Sequence, residues 1–376
     1  MITMRIKYIS VVILSALACL SCDKEILPQV SDGLIDFEVK TSNIKVVETR
    51  STLIYNTLPN NSSFGVLGYC VPYVLGTTTN NYSGASGLWN SKVQNSHPDI
   101  FYNQKVEYAD GTCIYDSNSG LSGNQVKGWV TPPSGDNSDP SKYTYTFFAY
   151  YPYQSGSNNS SGWSVTSGSG ALGAPTLKFI MPFTSTNAST RLDDSLIPDA
   201  MIASTYDRLR ADGAVPVTFA HILTGVNIKV ANFDDRQITI NSVTLSGTFN
   251  KQVTFDFNNN STQYTGTYSG TFTFTQSGIT YHADPGASIN LNGGKSILLL
   301  SNSESKLGNN IKLNGSYSVA GINRSIPFEI DIKEDFKFIQ GTNYTLTLNF
   351  VNGAITLLTE SELQWEDGGD SNSTIK

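Results

Sequence analysis

The chain offers few residues that could carry out catalysis, and their spacing matches no metalloprotease or nucleophile-elbow motif. Its three histidines are His97 before a proline, His221 inside an apolar run and His282 in a turn-like stretch. A histidine within a strand is more often a hydrogen-bonded structural residue than a general base, so we expect a structural role for His221. No H-E-x-x-H or G-x-S-x-G sequence occurs, so the residues that those two mechanisms need are missing. We therefore predict that the protein is not an enzyme and that it uses no metal and no cofactor.

The composition favours β-structure and argues against binding to nucleic acid. Charged residues make up only 15% of the 376 residues, while Gly, Ser, Thr, Asn and aromatic residues are abundant. These residues are typical of strands and polar turns. The formal net charge is −7 at pH 7 and no stripe of Lys and Arg is present, so the chain has no obvious means of neutralising phosphates.

Residues 1–22 have the pattern of a lipoprotein signal peptide. A short basic start precedes residues 9–20, an apolar segment that is too short to span a bilayer. Ser21 and Cys22 then resemble a bacterial lipobox, in which the cysteine thiol takes a diacylglycerol and becomes the mature N-terminus. We predict lipidation at Cys22, which would anchor the protein in a membrane.

Alternatives remain open for the cysteines. Cys19, which follows Ala18, could be the lipidated residue instead of Cys22, or the segment could be an ordinary cleaved secretory peptide. Cys70 and Cys113 could form a disulfide in an oxidising compartment or could remain free thiols.

The rest of the chain is organised around the stretch from Val215 to Val230. Apolar and polar residues alternate on both sides of Gly225 but change phase there, which predicts two strands separated by a bulge or kink at this glycine. The polar run at 206–213 just before it has the composition of a linker. Similar alternating segments, separated by turn residues, recur in both halves and indicate two β-sandwiches.

These patterns divide the chain into five segments. Residues 1–22 form the signal peptide, 23–33 a tether, 34–205 an N-terminal β-sandwich, 214–366 a C-terminal β-sandwich, and 367–376 a polar tail.

Several short stretches share their order and spacing with a known family. They are Thr49-Arg50 after an alternating strand, residues 147–152 (FFAYYP), residues 198–204 (PDAMIAS), Val215 to Val230, and residues 341–346 (GTNYTL) with Trp365 close behind. Together they resemble the fimbrillins of Bacteroidetes, the Mfa-like pilus proteins. The resemblance implies an all-β fold of two tandem transthyretin-like Greek-key β-sandwich domains. It also implies a structural subunit, or an anchor or tip component, of cell-surface fimbriae that serve adhesion.

The resemblance also implies a route of assembly. In that family a trypsin-like protease clips off the N-terminal strand after an arginine, and a strand from the next subunit fills the groove by β-augmentation. Arg50 matches that arginine, which implies cleavage between Arg50 and Ser51; the alternative is that Arg50 is only a turn residue. The candidate donor is the C-terminal strand, whose residues on one face are Ile355, Leu357, Leu363 and Trp365. The implied partners are other fimbrial subunits and, through the lipid, the outer membrane.

A rival hypothesis is a monomeric surface lipoprotein that binds glycans. It keeps the β-sandwiches and the lipid but uses the rings of Trp89, Trp129 and Trp163 to stack on sugars. Core or loop packing is the alternative role for these rings.

Overall fold

The structure is a computed structural model, and it describes most of the chain between residues 33 and 362. The described residues are 33–40, 47–48, 53–54, 58–72, 98, 100–115, 128–129, 143–155, 162–167, 175–186, 189–192, 196–256, 261–301, 311–332 and 336–362. From Ile35 onward the chain forms one compact unit. Within the described ranges, no helix has the length and apolar character needed to cross a membrane.

The prediction of an all-β fold is confirmed. In chain order, the strands of the first half are β1 (Phe37–Lys40), β2 (Val47–Glu48), β3 (Leu53–Ile54), β4 (Ser62–Pro72), β5 (Phe101–Ala109), β6 (Thr112–Ile114), β7 (Tyr143–Tyr151), β8 (Gly162–Ser167), β9 (Pro175–Ile180), β10 (Phe183–Thr186), β11 (Ser189–Leu192) and β12 (Met201–Arg208). Those of the second half are β13 (Val215–Thr218), β14 (Ala220–His221), β15 (Leu223–Asn232), β16 (Ile238–Asp256), β17 (Ser261–Thr273), β18 (Tyr281–Ala283), β19 (Ser288–Asn290), β20 (Ile297–Leu300), β21 (Lys312–Val319), β22 (Ile326–Asp331), β23 (Asn343–Val351) and β24 (Ala354–Glu362). The described residues also contain two short 3-10 turns, Arg210–Asp212 and Leu291–Gly294.

Five strands of the first half and β14 form a six-stranded sheet, in the order β14-β12-β7-β4-β5-β6. Because side chains alternate along each strand, the sheet buries a different set of residues on each face. Tyr145 and Phe147 of β7 point into an N-terminal core that also contains Phe37 of β1 and Val215 of β13. The neighbouring Phe148 and Tyr150 point into a second, central core. Both faces of β7 are therefore buried, and these four aromatic residues are core residues.

Two further sheets enclose the C-terminal core. One follows the order β19-β15-β23-β24, with β20 also paired to β15, and the other follows β22-β21-β16-β9-β8, with β17 and β18 also paired to β16. Ile228 of β15, Leu245 of β16 and Leu346 of β23 are fully buried between them. An Asn-Gly pair between two alternating segments is a strong hairpin signal in a sequence. Asn352-Gly353 is such a pair: it joins β23 to β24, and both residues have positive φ, at 50° and 74°.

Strands from both halves of the sequence share sheets. β1 pairs with β13, β12 pairs with β14, and β9 pairs with β16. The 19-residue β16 contributes Leu245 to the C-terminal core and Val253 to the central core. The division into two sandwiches between residues 205 and 214 stays a prediction, and these pairings show which contacts any such division must keep.

The predicted kink at Gly225 is wrong. The chain changes sheets earlier, between β13, β14 and β15, and Gly225 lies inside β15, paired with Leu298 and Asn343. A Cβ at this position would come within 2.3 Å of Asn343 Oδ1. The glycine is needed because a side chain from the next strand lies directly over its backbone, a signal that alternation alone does not distinguish from a bulge.

Candidate functional site

The first candidate site is the groove that holds β1, the N-terminal strand. β1 pairs in parallel with β13 over only four residues, from Phe37 opposite Val215 to Lys40 opposite Thr218. One further bond extends this ladder, because the Val215 N–H donates to the Asp36 carbonyl oxygen at 2.8 Å. Among the described strands, β13 is therefore the one that pairs with β1, and the ladder between them is short.

The side chains of β1 are buried more deeply than so short a ladder would suggest. Ile35 is 0% exposed and Phe37 is 6% exposed. The ring of Phe37 lies 5.4 Å from that of Phe101, 5.8 Å from that of Phe147 and 6.3 Å from that of Phe64, centroid to centroid. Glu38 and Lys40, which alternate with these residues, are exposed and form an ion pair with each other. The alternation thus gives β1 one apolar face, which fills an aromatic pocket.

The end of β6 and the residue after it, Tyr115, form the other side of this groove. The Tyr115 hydroxyl donates to the Ile35 carbonyl oxygen at 3.0 Å. Burial raises the pKa of Tyr115 to about 12. Burial likewise raises the pKa of the Cys113 thiol to about 11, although the N–H of Val39 donates to its sulfur. Cys113 and Cys70 are both free thiols, so the disulfide left open by the sequence is not formed.

This arrangement is a groove that is filled by the short segment 35–40. Burying side chains of the size of Ile35 and Phe37 contributes roughly 1.5–3 kcal/mol each. If β1 were removed, the aromatic walls and the edge of β13 would be left open to water, so another strand of similar pattern would be favoured to enter.

The predicted processing residues lie near this groove in sequence but outside the described residues. β2 and β3 pair antiparallel, with Val47 opposite Ile54 and Glu48 opposite Leu53. Arg50 and Ser51 fall between these two strands in the chain. The predicted lipidation residue, Cys22, and its alternative, Cys19, also fall outside the described ranges.

The second candidate site is the proposed donor strand, β24. It pairs antiparallel with β23 over nine residues, from Val351 opposite Ala354 to Asn343 opposite Glu362. Ile355 and Leu357 are half-buried and pack against the C-terminal core, on one face of the strand as predicted. Leu363 and Trp365 lie beyond the described residues. The structure thus places the described half of the donor set in its own sheet.

The histidines have the roles of structural residues where the structure describes them. Nδ1 of His221 lies 2.5 Å from Oδ1 of Asp199, and both side chains are buried. His221 is thus buried and hydrogen-bonded, as expected for a structural histidine, and its partner was missed because Asp199 lies in a different strand connection. His282 Nδ1 lies 2.8 Å from the Thr239 hydroxyl on the surface, and His97 lies outside the described residues. Among the described residues, no group of three or more His, Cys, Asp or Glu side chains could hold a metal ion.

Two of the three tryptophans that could stack on sugars are buried. Trp163 is 1% exposed, and its indole N–H donates to the Tyr151 carbonyl oxygen at 2.7 Å. Trp129 is 9% exposed, and its ring meets that of Tyr145 edge-on at 4.8 Å. Neither ring is available to a glycan, and Trp89 lies outside the described residues.

The groove was only partly visible in the sequence. The alternation of Ile35, Phe37 and Val39 predicts a strand with one apolar face, but it gives no information on where that face packs. β13 was also predicted as a strand, yet parallel partners that are distant in sequence have no shared turn to reveal their pairing.

Comparison with known proteins adds two findings. A sequence model described as fimbrillin-like matches residues 139–365, which is more than half of the chain. A crystal structure of a fimbrial protein from Bacteroides vulgatus superposes with a TM-score of 0.55 at 21% identity, covering 89% of this chain and 100% of that one. A putative cell adhesion protein from Bacteroides uniformis gives a TM-score of 0.44 at 13% identity, covering 88% of this chain and 99% of that one. No curated protein matches the chain. At 21% identity, the first likeness establishes a shared fold.

Proposed function

Because the chain belongs to the fimbrillin-like family, we propose that it is a structural subunit of cell-surface fimbriae that assembles by exchange of its N-terminal strand. In this proposal a protease cuts between Arg50 and Ser51, β1 leaves its groove, and a strand from another subunit takes its place. The observation that supports the proposal is the groove that holds β1. Phe37 fills an aromatic pocket there, but the ladder between β1 and β13 is only four residues long.

The geometry supports exchange of this kind for a physical reason. A groove lined by Phe64, Phe101 and Phe147 binds by side-chain burial, and the edge of β13 supplies backbone hydrogen bonds to any incoming strand. The same two contributions hold β1 in the precursor, so the precursor is protected from premature assembly. Cleavage removes the intramolecular competitor, since a detached β1 no longer has the high effective concentration of a tethered segment.

The proposed donor is the end of β24 together with the residues that follow it. Its apolar face, made of Ile355 and Leu357 in the described part and of Leu363 and Trp365 beyond it, has the period-two pattern that the groove requires. Ser361 to Trp365 is the proposed inserted part, because the hairpin at Asn352-Gly353 fixes the first residues of β24 to β23.

Substitution of Arg50 tests whether cleavage drives assembly. Arg50→Ala should give a folded precursor that forms no SDS-resistant ladder after treatment with an arginine-specific protease. Arg210→Ala is the matched control, because Arg210 is an exposed arginine in a 3-10 turn, and this variant should polymerise normally. Ladders of normal length from Arg50→Ala would show that cleavage at this residue is not needed.

The proposed surface anchor is tested separately. We propose that Cys22 carries the lipid and places the subunit at the outer membrane. In a Bacteroidetes host, Cys22→Ala should lose palmitate label and leave the membrane fraction, whereas Cys19→Ala should retain both. Loss of label from Cys19→Ala alone would move the anchor to that residue.

A further inference from the structure

The two edges of β1 are bound by different parts of the protein. The Val215 N–H donates to the Asp36 carbonyl oxygen at 2.8 Å, so the backbone groups of Asp36 face β13. In an extended strand, the backbone groups of successive residues point to opposite edges. Those of Ile35, Phe37 and Val39 therefore face the edge of β1 that lies away from β13.

Side chains from the end of β6 bind this second edge. The Tyr115 hydroxyl donates to the Ile35 carbonyl oxygen at 3.0 Å, and the Val39 N–H donates to the Cys113 sulfur. Counted from Phe37, the first contact lies two residues before and the second two residues after. Both contacts fall on residues whose backbone faces away from β13, so β1 is bound at each edge, by a strand on one side and by two side chains on the other.

Tyr115 also contacts the aromatic residue of β1. Its ring lies 6.2 Å from that of Phe37 and 5.3 Å from that of Phe101, centroid to centroid, and it meets both edge-on. Aromatic rings in this arrangement attract each other beyond the effect of burial alone. One side chain therefore contacts both the backbone and the central ring of the strand that fills the groove.

We infer that Tyr115, together with Cys113, determines which strands the groove accepts. The accepted class has an aromatic residue that meets the Tyr115 ring, an apolar residue two positions earlier, in the fully buried place of Ile35, and a residue other than proline two positions later. Proline is excluded there because it has no N–H to donate to Cys113.

This inference deepens the proposed function and rests on it wherever the strand comes from another subunit. The proposed donor belongs to the accepted class. Trp365 is its aromatic residue, and Leu363 and Asp367 stand two positions before and after. Trp365 would then take the place of Phe37.

Amide hydrogen exchange in the uncleaved protein tests the Tyr115 contact without any exchange of strands. The protein is used without residues 1–22, which leaves the compact unit from Ile35 intact. Tyr115→Phe keeps the ring and removes the hydroxyl. The amides of residues 37–40 should exchange roughly 2–12-fold faster, the range for loss of one hydrogen bond, while those of β24 should not change. Unchanged exchange at residues 37–40 overturns the role given to the hydroxyl.

Peptide binding tests selection by the ring. The same protein is cleaved after Arg50 and separated from its N-terminal fragment, and binding of fluorescent peptides spanning residues 33–40 is measured by anisotropy. The loss of affinity caused by Phe37→Leu in the peptide should be roughly 2–12-fold larger for the protein with Tyr115 than for Tyr115→Leu, the range for one aromatic pair. Tyr115→Phe is the matched control, because it keeps the ring and should show the same loss as the protein with Tyr115.

The same assay tests the requirement for an N–H at residue 39. A peptide with Val39→Pro should bind at least ~10-fold more weakly than one with Leu34→Pro, because Leu34 is exposed and precedes the ladder to β13. Equal weakening by the two prolines, or a Phe37→Leu loss that is the same in all three proteins, overturns selection by Tyr115 and Cys113 while leaving strand exchange possible. Failure of the unaltered peptide to bind the cleaved protein would instead contradict the proposed function and this inference together.

Discussion

The strands at the two ends of the described chain, β1 and β24, are held in opposite ways. β1 has a four-residue ladder, but Phe37 is 6% exposed in an aromatic pocket. β24 has a nine-residue ladder, but none of its described side chains is fully buried and Leu358 is 47% exposed. β1 is therefore held mainly by side-chain burial, and β24 mainly by backbone hydrogen bonds.

This difference bears on which strand can leave and which can be donated. Loss of β1 opens a deep apolar groove, which creates a strong drive for replacement. Loss of the end of β24 uncovers little apolar surface, so that segment is free to pair elsewhere at small expense to its own core. Under the proposed exchange, removal of β1 would therefore expose much apolar surface, whereas donation of the end of β24 would expose little.

The largest expected effect is at Phe37. Phe37→Ala should lower the free energy of unfolding by about 3–5 kcal/mol, because it leaves a cavity among the rings of Phe64, Phe101 and Phe147. The measurement is urea denaturation of the uncleaved protein. A loss below ~1 kcal/mol would mean that the pocket does not hold β1.

The Cys113 thiol reports on the presence of β1. With β1 in place, burial raises its pKa from 9.0 to about 11, so at pH 8 the reactive thiolate is roughly 100-fold scarcer than for a thiol of ordinary pKa. Cleavage and release of β1 should therefore raise the rate of reaction with a thiol reagent at pH 8. An unchanged reaction rate in a sample shown by mass spectrometry to lack β1 would mean that β1 does not shield the Cys113 thiol.

The same pKa shift gives a direction for stability against pH. The unfolded thiol ionises near pH 9 while the folded thiol stays neutral to about pH 11. The contribution to stability is therefore fully present below pH 9 and is lost as pH rises towards 11. Cys113→Ser should flatten this part of a curve of unfolding free energy against pH, and an equally steep curve would assign the loss to other groups.

Removal of the chain from residue 361 onward should have a smaller effect on stability. The truncation deletes only the last two pairs of the β23–β24 ladder, Ser361 with Tyr344 and Glu362 with Asn343. The protein should stay folded by circular dichroism but form no SDS-resistant ladder after cleavage. Ladders of normal length would place the donor strand elsewhere.

The smallest expected effect is at Leu358. Leu358→Ala should change the unfolding free energy by no more than about 0.5 kcal/mol, since the side chain lies on the exposed face of β24 and is 47% exposed. Paired with Phe37→Ala in the same urea series, it measures the contrast between the two strands. A similar loss from both variants would remove that contrast.

The sequence predicted strands better than it predicted their partners. Alternation identified β1, β7, β13 and both strands of the β23–β24 hairpin, because a period of two and an Asn-Gly turn are local signals. The parallel pairing of Phe37 with Val215 has no local signal, and neither has the side chain of Asn343 over Gly225. Gly225 was therefore given the wrong reason, since a glycine at a kink and a glycine under a neighbouring side chain look the same in sequence.

The groove itself could not be predicted from the sequence, for the same reason. Its walls come from Phe64, Phe101 and Phe147, three aromatic residues on three strands whose order in the sheet no turn reveals. Arg50 and Cys22, by contrast, were predicted from short motifs of the kind that a protease or a lipid-transferring enzyme recognises in an extended chain, and such motifs can be sought in a sequence without knowledge of the fold.

Competition for the groove tests strand exchange most directly. The protein without residues 1–22 is cleaved after Arg50, and polymer growth is followed by light scattering with and without an excess of a synthetic peptide spanning residues 33–40. The peptide should stop polymer growth by filling the groove beside β13, and a matched peptide with Phe37→Asp should have no effect. Growth at the same rate in both peptides and in buffer would contradict exchange at this groove.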